Sequence, residues 1–186
     1  MNQSDLIQMF KSKAETVQAI VMPIVSINDA VRYTVDLTLQ QGGQTIAAPG
    51  LGDDALTLLT TACQAAGLTV LDCPLRPQAD RIHTALTPVD GGIAETGSLV
   101  LNSSAEDVRI ATMLAETHVA VIAAADIVPD AATLETRLDA ALKEDKPSYT
   151  AFITGASRTA DIERVLAIGV HGPQELHILV WGGTAS

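Results

Sequence analysis

The feature that most constrains the fold is an alternation of short apolar stretches with a helical stretch between residues 44 and 71. Residues 44–48 are predicted as a strand, residues 53–66 as a helix closed by Gly67, and residues 68–71 as a second strand. Two strands joined in this way pair in parallel through a right-handed crossover. We therefore predict an α/β fold in which helices cover a mainly parallel sheet.

The rest of the chain extends this alternation. Helical spacing predicts two N-terminal helices within about residues 4–41, the first running through Val21 and the second beginning at a Ser26–Asp29 capping box. Further segments are predicted as antiparallel strands over 86–89 and 93–101 joined at 90–92, strands over 118–124, 149–154 and 176–181, and helices over 131–142 and 159–167. Because no repeat or linker divides the chain, we expect a single domain over residues 1–186 with a three-layer α/β/α sandwich.

Charge and cysteine content exclude several classes of partner. The formal net charge is −11, which disfavours binding to nucleic acid and to anionic membrane surfaces. No apolar run reaches the ~20 residues of a membrane span, and no signal peptide is recognised at the N-terminus. Cys63 and Cys73 are too few for a disulfide framework, and we expect free thiols in a cytoplasmic protein.

One segment resembles a dinucleotide-binding loop. Gly50–Ala55 matches G-x-G-x-x-A between a predicted strand and helix, and Asp72 follows at the spacing of a ribose-binding acid. However, Asp53 and Asp54 would occupy the helix N-terminus where a pyrophosphate should lie. We therefore favour a tight turn with acidic capping and keep NAD binding as the alternative.

Residues 151–163 carry the clearest candidate for a ligand-binding loop, because a strand is followed by a turn of small residues and a predicted helix. Small residues let the backbone approach a ligand, while hydroxyl and guanidinium groups suit a carboxylate or phosphate. An acid in the first turn could act as a base, although such acids often only complement the helix dipole. An anion site and a plain capped turn both fit. The candidate ligand-binding residues are Gly155, Ser157, Arg158, Thr159 and Asp161.

Two further loops supply candidates for proton transfer. His171 lies between glycines and a proline, where its ring could exchange protons or simply bond to its own turn. Glu95 interrupts a strand-like run and would serve as a base or nucleophile if partly buried, or face solvent at a sheet edge. Adjacent candidates for ligand binding are Thr96, Gly97, Ser98 and Gly172. The histidines show no metal-ligand spacing, so no metal site is predicted.

Taken together, four stretches resemble the LUD-domain family over roughly residues 48–180. They are IAETGSLVL (93–101), a strand beginning at His118, GASRTADIE (155–163) and GVHGPQELHILV (169–180), in this order. Family members typically carry Gly-Pro-Ser where this chain has Gly155, Ala156 and Ser157. The resemblance implies a Rossmann-like sandwich similar to the sugar-phosphate isomerase and CoA transferase-like fold.

The resemblance also implies a role in bacterial oxidation of L-lactate, or a related 2-hydroxy acid, to pyruvate beside iron–sulfur partner proteins. Arg158 would then hold a small carboxylate or phosphorylated ligand, with Glu95 or His171 handling protons. Two cysteines cannot hold an iron–sulfur cluster, so electrons would leave through a partner or a bound cofactor, whose identity is unknown. The alternatives are an independent transferase or isomerase acting on CoA esters or sugar phosphates, with Glu95 as nucleophile, and a non-catalytic assembly module.

Overall fold

A computed structural model describes residues 2–142, 149–160, 166–168 and 172–182. The helices are α1 (Gln3–Thr16), α2 (Ile27–Gln40), α3 (Asp53–Ala66), α4 (Glu106–Leu114) and α5 (Ala131–Leu142). The strands are β1 (Ile20–Ile24), β2 (Thr45–Ala47), β3 (Thr69–Leu71), β4 (Thr84–Pro88), β5 (Gly91–Ile93), β6 (Ser98–Asn102), β7 (Thr117–Ala123), β8 (Ile127–Val128), β9 (Thr150–Ile153), β10 (Arg158–Ala160), β11 (Leu166–Ile168) and β12 (Glu175–Trp181).

A six-stranded parallel sheet forms the centre of the fold, in the order β1-β12-β7-β4-β2-β3. Its middle strand β7 is buried from Thr117 to Ile122, as expected of a parallel strand covered on both faces. The helix predicted over 53–66 is α3, and it crosses from β2 to β3 as the sequence predicts. The prediction of an α/β fold with a mainly parallel sheet is confirmed.

The two faces of this sheet are covered differently. Helices α2 and α3 pack on one face through a core that includes Val31, Leu59 and Val119. Helix α1 and a smaller sheet cover the other face, where Phe10 and Ile122 lie in one apolar cluster with Leu99. Helix α4 covers the same face nearer β2 and β3. The small sheet thus lies between the main sheet and α5, whose Leu134 packs on its outer side.

The smaller sheet has the order β8-β5-β6-β9 and corrects one prediction. We predicted an antiparallel pair joined at 90–92, but β4 belongs to the main sheet and the antiparallel turn lies later, between β5 and β6. These three strands are buried at almost every residue, so they lack the alternation of buried and exposed residues that would have marked their bounds in the sequence.

The first predicted helix also ends earlier than expected. Helix α1 stops at Thr16, and Ile20–Ile24 forms the edge strand β1, which pairs with β12. Pro23 is compatible with this position because an edge strand has one side free of ladder hydrogen bonds. The second helix follows the prediction, since Ser26 and Asp29 form the expected capping box at the start of α2.

The helix predicted over 159–167 is wrong where the structure describes it. Strands β10 and β11 pair antiparallel, with Arg158 opposite Ile168 and Ala160 opposite Leu166. A short run of apolar residues fits either period, and here strand pairing decides the conformation. The helix N-terminus predicted to follow the turn of small residues is therefore not present at Arg158–Ala160.

Within the described residues, no helix combines the length and the apolar character needed to span a membrane.

Candidate functional site

A cleft of about 940 Å³ lies at the end of the main sheet where β7 and β12 begin. Three segments form it: the end of α4 with the link to β7, the end of β9 with the loop that follows, and the residues leading into β12. The lining residues are Thr112, Met113, Leu114, Ala115, Glu116, Phe152, Ile153, Thr154, Gly155, Ser157, Gly172, Pro173 and Gln174. The cleft therefore joins two of the stretches that the sequence analysis singled out.

The structure brings Gly155, Ser157 and Gly172 together on one side of this cleft. The amide of Ser157 donates to the carbonyl of Pro173 over 2.8 Å, which ties the two loops together. Gly172 has φ +106°, and a Cβ added to it would lie 3.1 Å from Ser157 Cβ. This backbone conformation and this close approach both favour glycine.

Gly155 joins the cleft to the end of α1. Its φ is +77°, and an added Cβ would lie 2.5 Å from the carbonyl oxygen of Val17. The small residue predicted to allow close approach to a ligand therefore allows close approach to the protein's own backbone. Ala156, the next residue, packs against the cluster formed by α1 and the small sheet.

Two of the other candidates connect to the cleft through hydroxyl groups. Thr96 Oγ1 donates to Ser98 Oγ over 2.8 Å, and Ser98 Oγ lies 2.6 Å from Thr154 Oγ1. Thr154 lines the cleft, so this chain of hydroxyls leads from the β5–β6 turn to the loop after β9. Gly97 has φ +65°, and an added Cβ would overlap the backbone of Ala14 in α1. Gly97 thus has a packing role.

Glu95 is not among the residues that line the cleft. Its Oε1 accepts a hydrogen bond of 3.1 Å from the amide of Ala131, the first residue of α5, and the residue is exposed. A carboxylate at this position stabilises the helix N-terminus by satisfying a free amide and complementing the dipole. The described geometry therefore gives Glu95 a capping contact, the solvent-facing alternative of the sequence analysis.

Of the four remaining candidate residues, the structure describes the backbone of two. The backbones of Arg158 and Thr159 lie in β10, directly after Ser157. Asp161 and His171 lie outside the described residues.

His118 was not among the site residues predicted from the sequence. It is 1% exposed, and its Nε2 lies 2.8 Å from Thr87 Oγ1 on the neighbouring strand β4. His118 lines a cavity of about 230 Å³ together with cleft residues such as Phe152 and Gly155. Burial lowers the pKa of His118 from 6.5 to about 4, so the ring is neutral at pH 7. The signal was a polar residue inside an otherwise apolar strand.

The dinucleotide-like segment lies at the opposite end of the sheet. Gly50 borders a separate crevice of about 390 Å³ at the carboxyl ends of β2 and β4. Asp53 and Asp54 occupy the first turn of α3, and Gly52 provides no side-chain cap. Asp90, also in this crevice, accepts a hydrogen bond from the amide of Asn102. The region thus offers carboxylates, which suit an anionic cofactor poorly.

Among the described residues, no group of three or more His, Cys, Asp or Glu side chains could hold a metal ion. Cys63 is buried and burial raises the pKa of its thiol to about 11, while Cys73 is an exposed free thiol.

Known proteins resemble this chain both in sequence and in fold. The sequence model of the LUD domain matches residues 7–181. Proteins named Lactate utilization protein C are similar as well: that of Halalkalibacterium halodurans is 38% identical over 98 residues, covering 52% of this chain and 43% of that protein. The one from Bacillus subtilis is 36% identical over 106 residues, covering 55% of this chain and 44% of that protein. These matches thus span less than half the length of the relatives.

A solved structure extends the similarity of the fold over the whole chain. The crystal structure of a DUF162 family protein from Deinococcus radiodurans superposes with a TM-score of 0.65 at 19% identity. The match covers 98% of this chain and 99% of that one. Because the sequence model of the LUD domain matches residues 7–181, this chain belongs to the LUD domain family.

Proposed function

We propose that this chain takes part in lactate utilisation by binding a small carboxylate, L-lactate or a related 2-hydroxy acid, in the cleft at the start of β7 and β12. The observation that carries the proposal is the convergence of Gly155, Ser157 and Gly172 on that cleft. These residues belong to the two stretches that most resemble the family. Relatives named for lactate utilisation match over about half of this chain, which supports the same substrate class.

In this proposal the carboxylate is held by Arg158, which directly follows Ser157 in the chain. A guanidinium forms paired, charge-assisted hydrogen bonds with a carboxylate, and a hydroxyl adds a third donor. His171, which directly precedes Gly172 in the chain, takes the proton of the 2-hydroxyl. Oxidation to pyruvate also breaks the C2–H bond, which releases a second proton to water and two electrons that pass to iron–sulfur partner proteins.

Thermal unfolding with a panel of ligands tests this proposal. The panel contains lactate, pyruvate, glycolate, CoA, acetyl-CoA, NAD and ribose 5-phosphate. A ligand at about 100 times its Kd stabilises the folded state by ~2.7 kcal/mol, which a melting curve resolves. We expect lactate or pyruvate to raise the Tm of the wild type and to lose this effect in Arg158→Ala.

Arg32→Ala is the matched control, because Arg32 is an exposed arginine on α2 that pairs with Asp29. It should retain the ligand-induced shift. A shift that survives in Arg158→Ala contradicts the assigned role of Arg158. A shift with CoA, acetyl-CoA or ribose 5-phosphate alone favours the transferase or isomerase alternative.

Glu116 provides an electrostatic test of the same site. It lines the cleft with a side chain that is 64% exposed, so its carboxylate repels a bound anion. Glu116→Gln should tighten binding of lactate by about two- to fivefold, consistent with the weak energies of exposed charges. Unchanged affinity would mean that the carboxylate binds elsewhere.

A second candidate function is assembly, and the mouth of the cleft favours it. Met113, Leu114 and Phe152 are exposed by 61%, 54% and 53%. Apolar side chains grouped at the surface are typical of protein contacts. If assembly is the main role, Phe152→Glu should weaken copurification with the iron–sulfur partners while no ligand in the panel shifts the Tm.

A further inference from the structure

A second, smaller cavity lies behind the cleft and shares part of its wall. It has a volume of about 230 Å³, and Thr112, Phe152, Gly155 and Pro173 border both spaces. This volume is below the roughly 300–1,000 Å³ of pockets for drug-sized ligands. The inner cavity therefore suits a fragment of a few heavy atoms and not a nucleotide or a CoA ester.

The lining of the inner cavity is mostly apolar, and it includes the His118 ring, which has two nitrogens that can form hydrogen bonds. Phe152, Ala156 and Leu176 supply apolar surface, and His118 lies on the strand behind them. Thr87 Oγ1 lies 2.8 Å from Nε2 of His118 on the neighbouring strand. A neutral imidazole has one donor and one acceptor nitrogen, so with Nε2 engaged by Thr87 the atom that would hydrogen-bond a ligand in this cavity is Nδ1.

A small ligand that reaches both spaces needs a charged end and a short, nearly apolar end with one oxygen. We propose that the inner cavity binds the C2 end of a 2-hydroxy or 2-oxo acid, with His118 hydrogen-bonding the C2 oxygen and Phe152 and Ala156 packing on the alkyl substituent. This rests on the proposed function, which places the carboxylate in the outer cleft. His118 is then the residue that distinguishes such acids from simple carboxylates.

Calorimetric titration of the full chain with lactate and with propionate tests the assignment, because propionate differs from lactate only in lacking the C2 oxygen. The wild type should prefer lactate by about tenfold, because propionate has no C2 oxygen and leaves the buried ring of His118 without this hydrogen bond. His118→Leu should bind lactate as weakly as propionate, with the affinity for propionate changed by less than about twofold.

His177→Gln is the matched control. His177 is also a buried histidine, 3% exposed, but it bonds to Tyr33 and Glu175 on the opposite face of the sheet. It should keep the preference for lactate. Arg158→Ala should weaken both acids equally, because it removes the contact that they share. Retention of the preference in His118→Leu overturns the inference.

A measurement on the wild type makes the test independent of the folding of any variant. The ring nitrogens of ¹⁵N-labelled His118 should shift on addition of lactate and stay unchanged with propionate. Lactate binding without such a shift overturns the role of His118 and leaves the proposed function intact. If neither acid binds at all, the proposed function fails, and the inference fails with it.

Discussion

Ser98 Oγ and Thr154 Oγ1 lie 2.6 Å apart and join the turn between β5 and β6 to the loop that borders the cleft. Ser98 is buried whereas Thr154 is exposed, so the buried hydroxyl of Ser98 has its partners in neighbouring hydroxyls and not in bulk water. Thr96 extends the chain by donating to Ser98. The contact explains how two stretches more than fifty residues apart position one site.

The Ser98–Thr154 contact should appear as a coupling energy. Ser98→Ala and Thr154→Val each remove one hydroxyl, and the double variant should be more stable than the sum of the single effects by about 0.5–1.5 kcal/mol. Urea unfolding of the four proteins measures this energy. Thr57→Val is the control second site, because its hydroxyl bonds within α3. Additivity of Ser98→Ala with Thr154→Val would contradict a direct contact.

Burial of His118 should make stability depend on pH. Its folded pKa of about 4 lies below the usual 6.5, so the unfolded chain binds the extra proton first as pH falls. The native state should therefore lose up to ~3 kcal/mol between pH 6.5 and pH 4, with no further loss from this group at lower pH. Chemical unfolding at a series of pH values, compared between wild type and His118→Leu, isolates this contribution. Parallel curves for the two proteins would show that His118 is not desolvated.

Gly97 should tolerate no side chain. Gly97→Ala combines a φ of +65° with an overlap against the backbone of Ala14, so we expect it to destabilise the fold by more than ~2 kcal/mol. Gly67→Ala has a similar φ of +73° but meets nothing within 4 Å, and it should cost only about 1 kcal/mol. Thermal unfolding compares them. Equal losses would mean that conformation alone, and not packing on α1, requires Gly97.

Glu95 should affect stability through α5. Glu95→Ala removes the acceptor for the amide of Ala131 and should lower the free energy of unfolding by about 0.5–2 kcal/mol. Glu95→Gln keeps an acceptor oxygen and should lose less. Denaturant unfolding measures both, and ligand binding in the cleft should be unchanged. Loss of turnover in Glu95→Gln with no loss of stability would instead support the nucleophile alternative.

Local sequence signals predicted the helices whose ends are marked by capping residues. The helix at 53–66 ends at Gly67, which has a positive φ, and the capping box at Ser26 begins α2. The helix at 131–142 has the predicted bounds. The strand β1 was missed because its partner β12 lies far along the chain. The strands β10 and β11 were missed because a short run of residues fits the period of a helix or of a strand.

The sequence by itself determined an α/β chain of the LUD family and two loops rich in small residues, since periodicity, caps and local composition act over a few neighbouring residues. Only the tertiary structure decided which side chains meet. Glu95 contacts the N-terminus of α5, and Ser98 contacts Thr154. His118 is buried beside Thr87 behind the cleft. The physical reason is that strand register and sheet packing set these distances, and both depend on contacts between segments far apart in the chain.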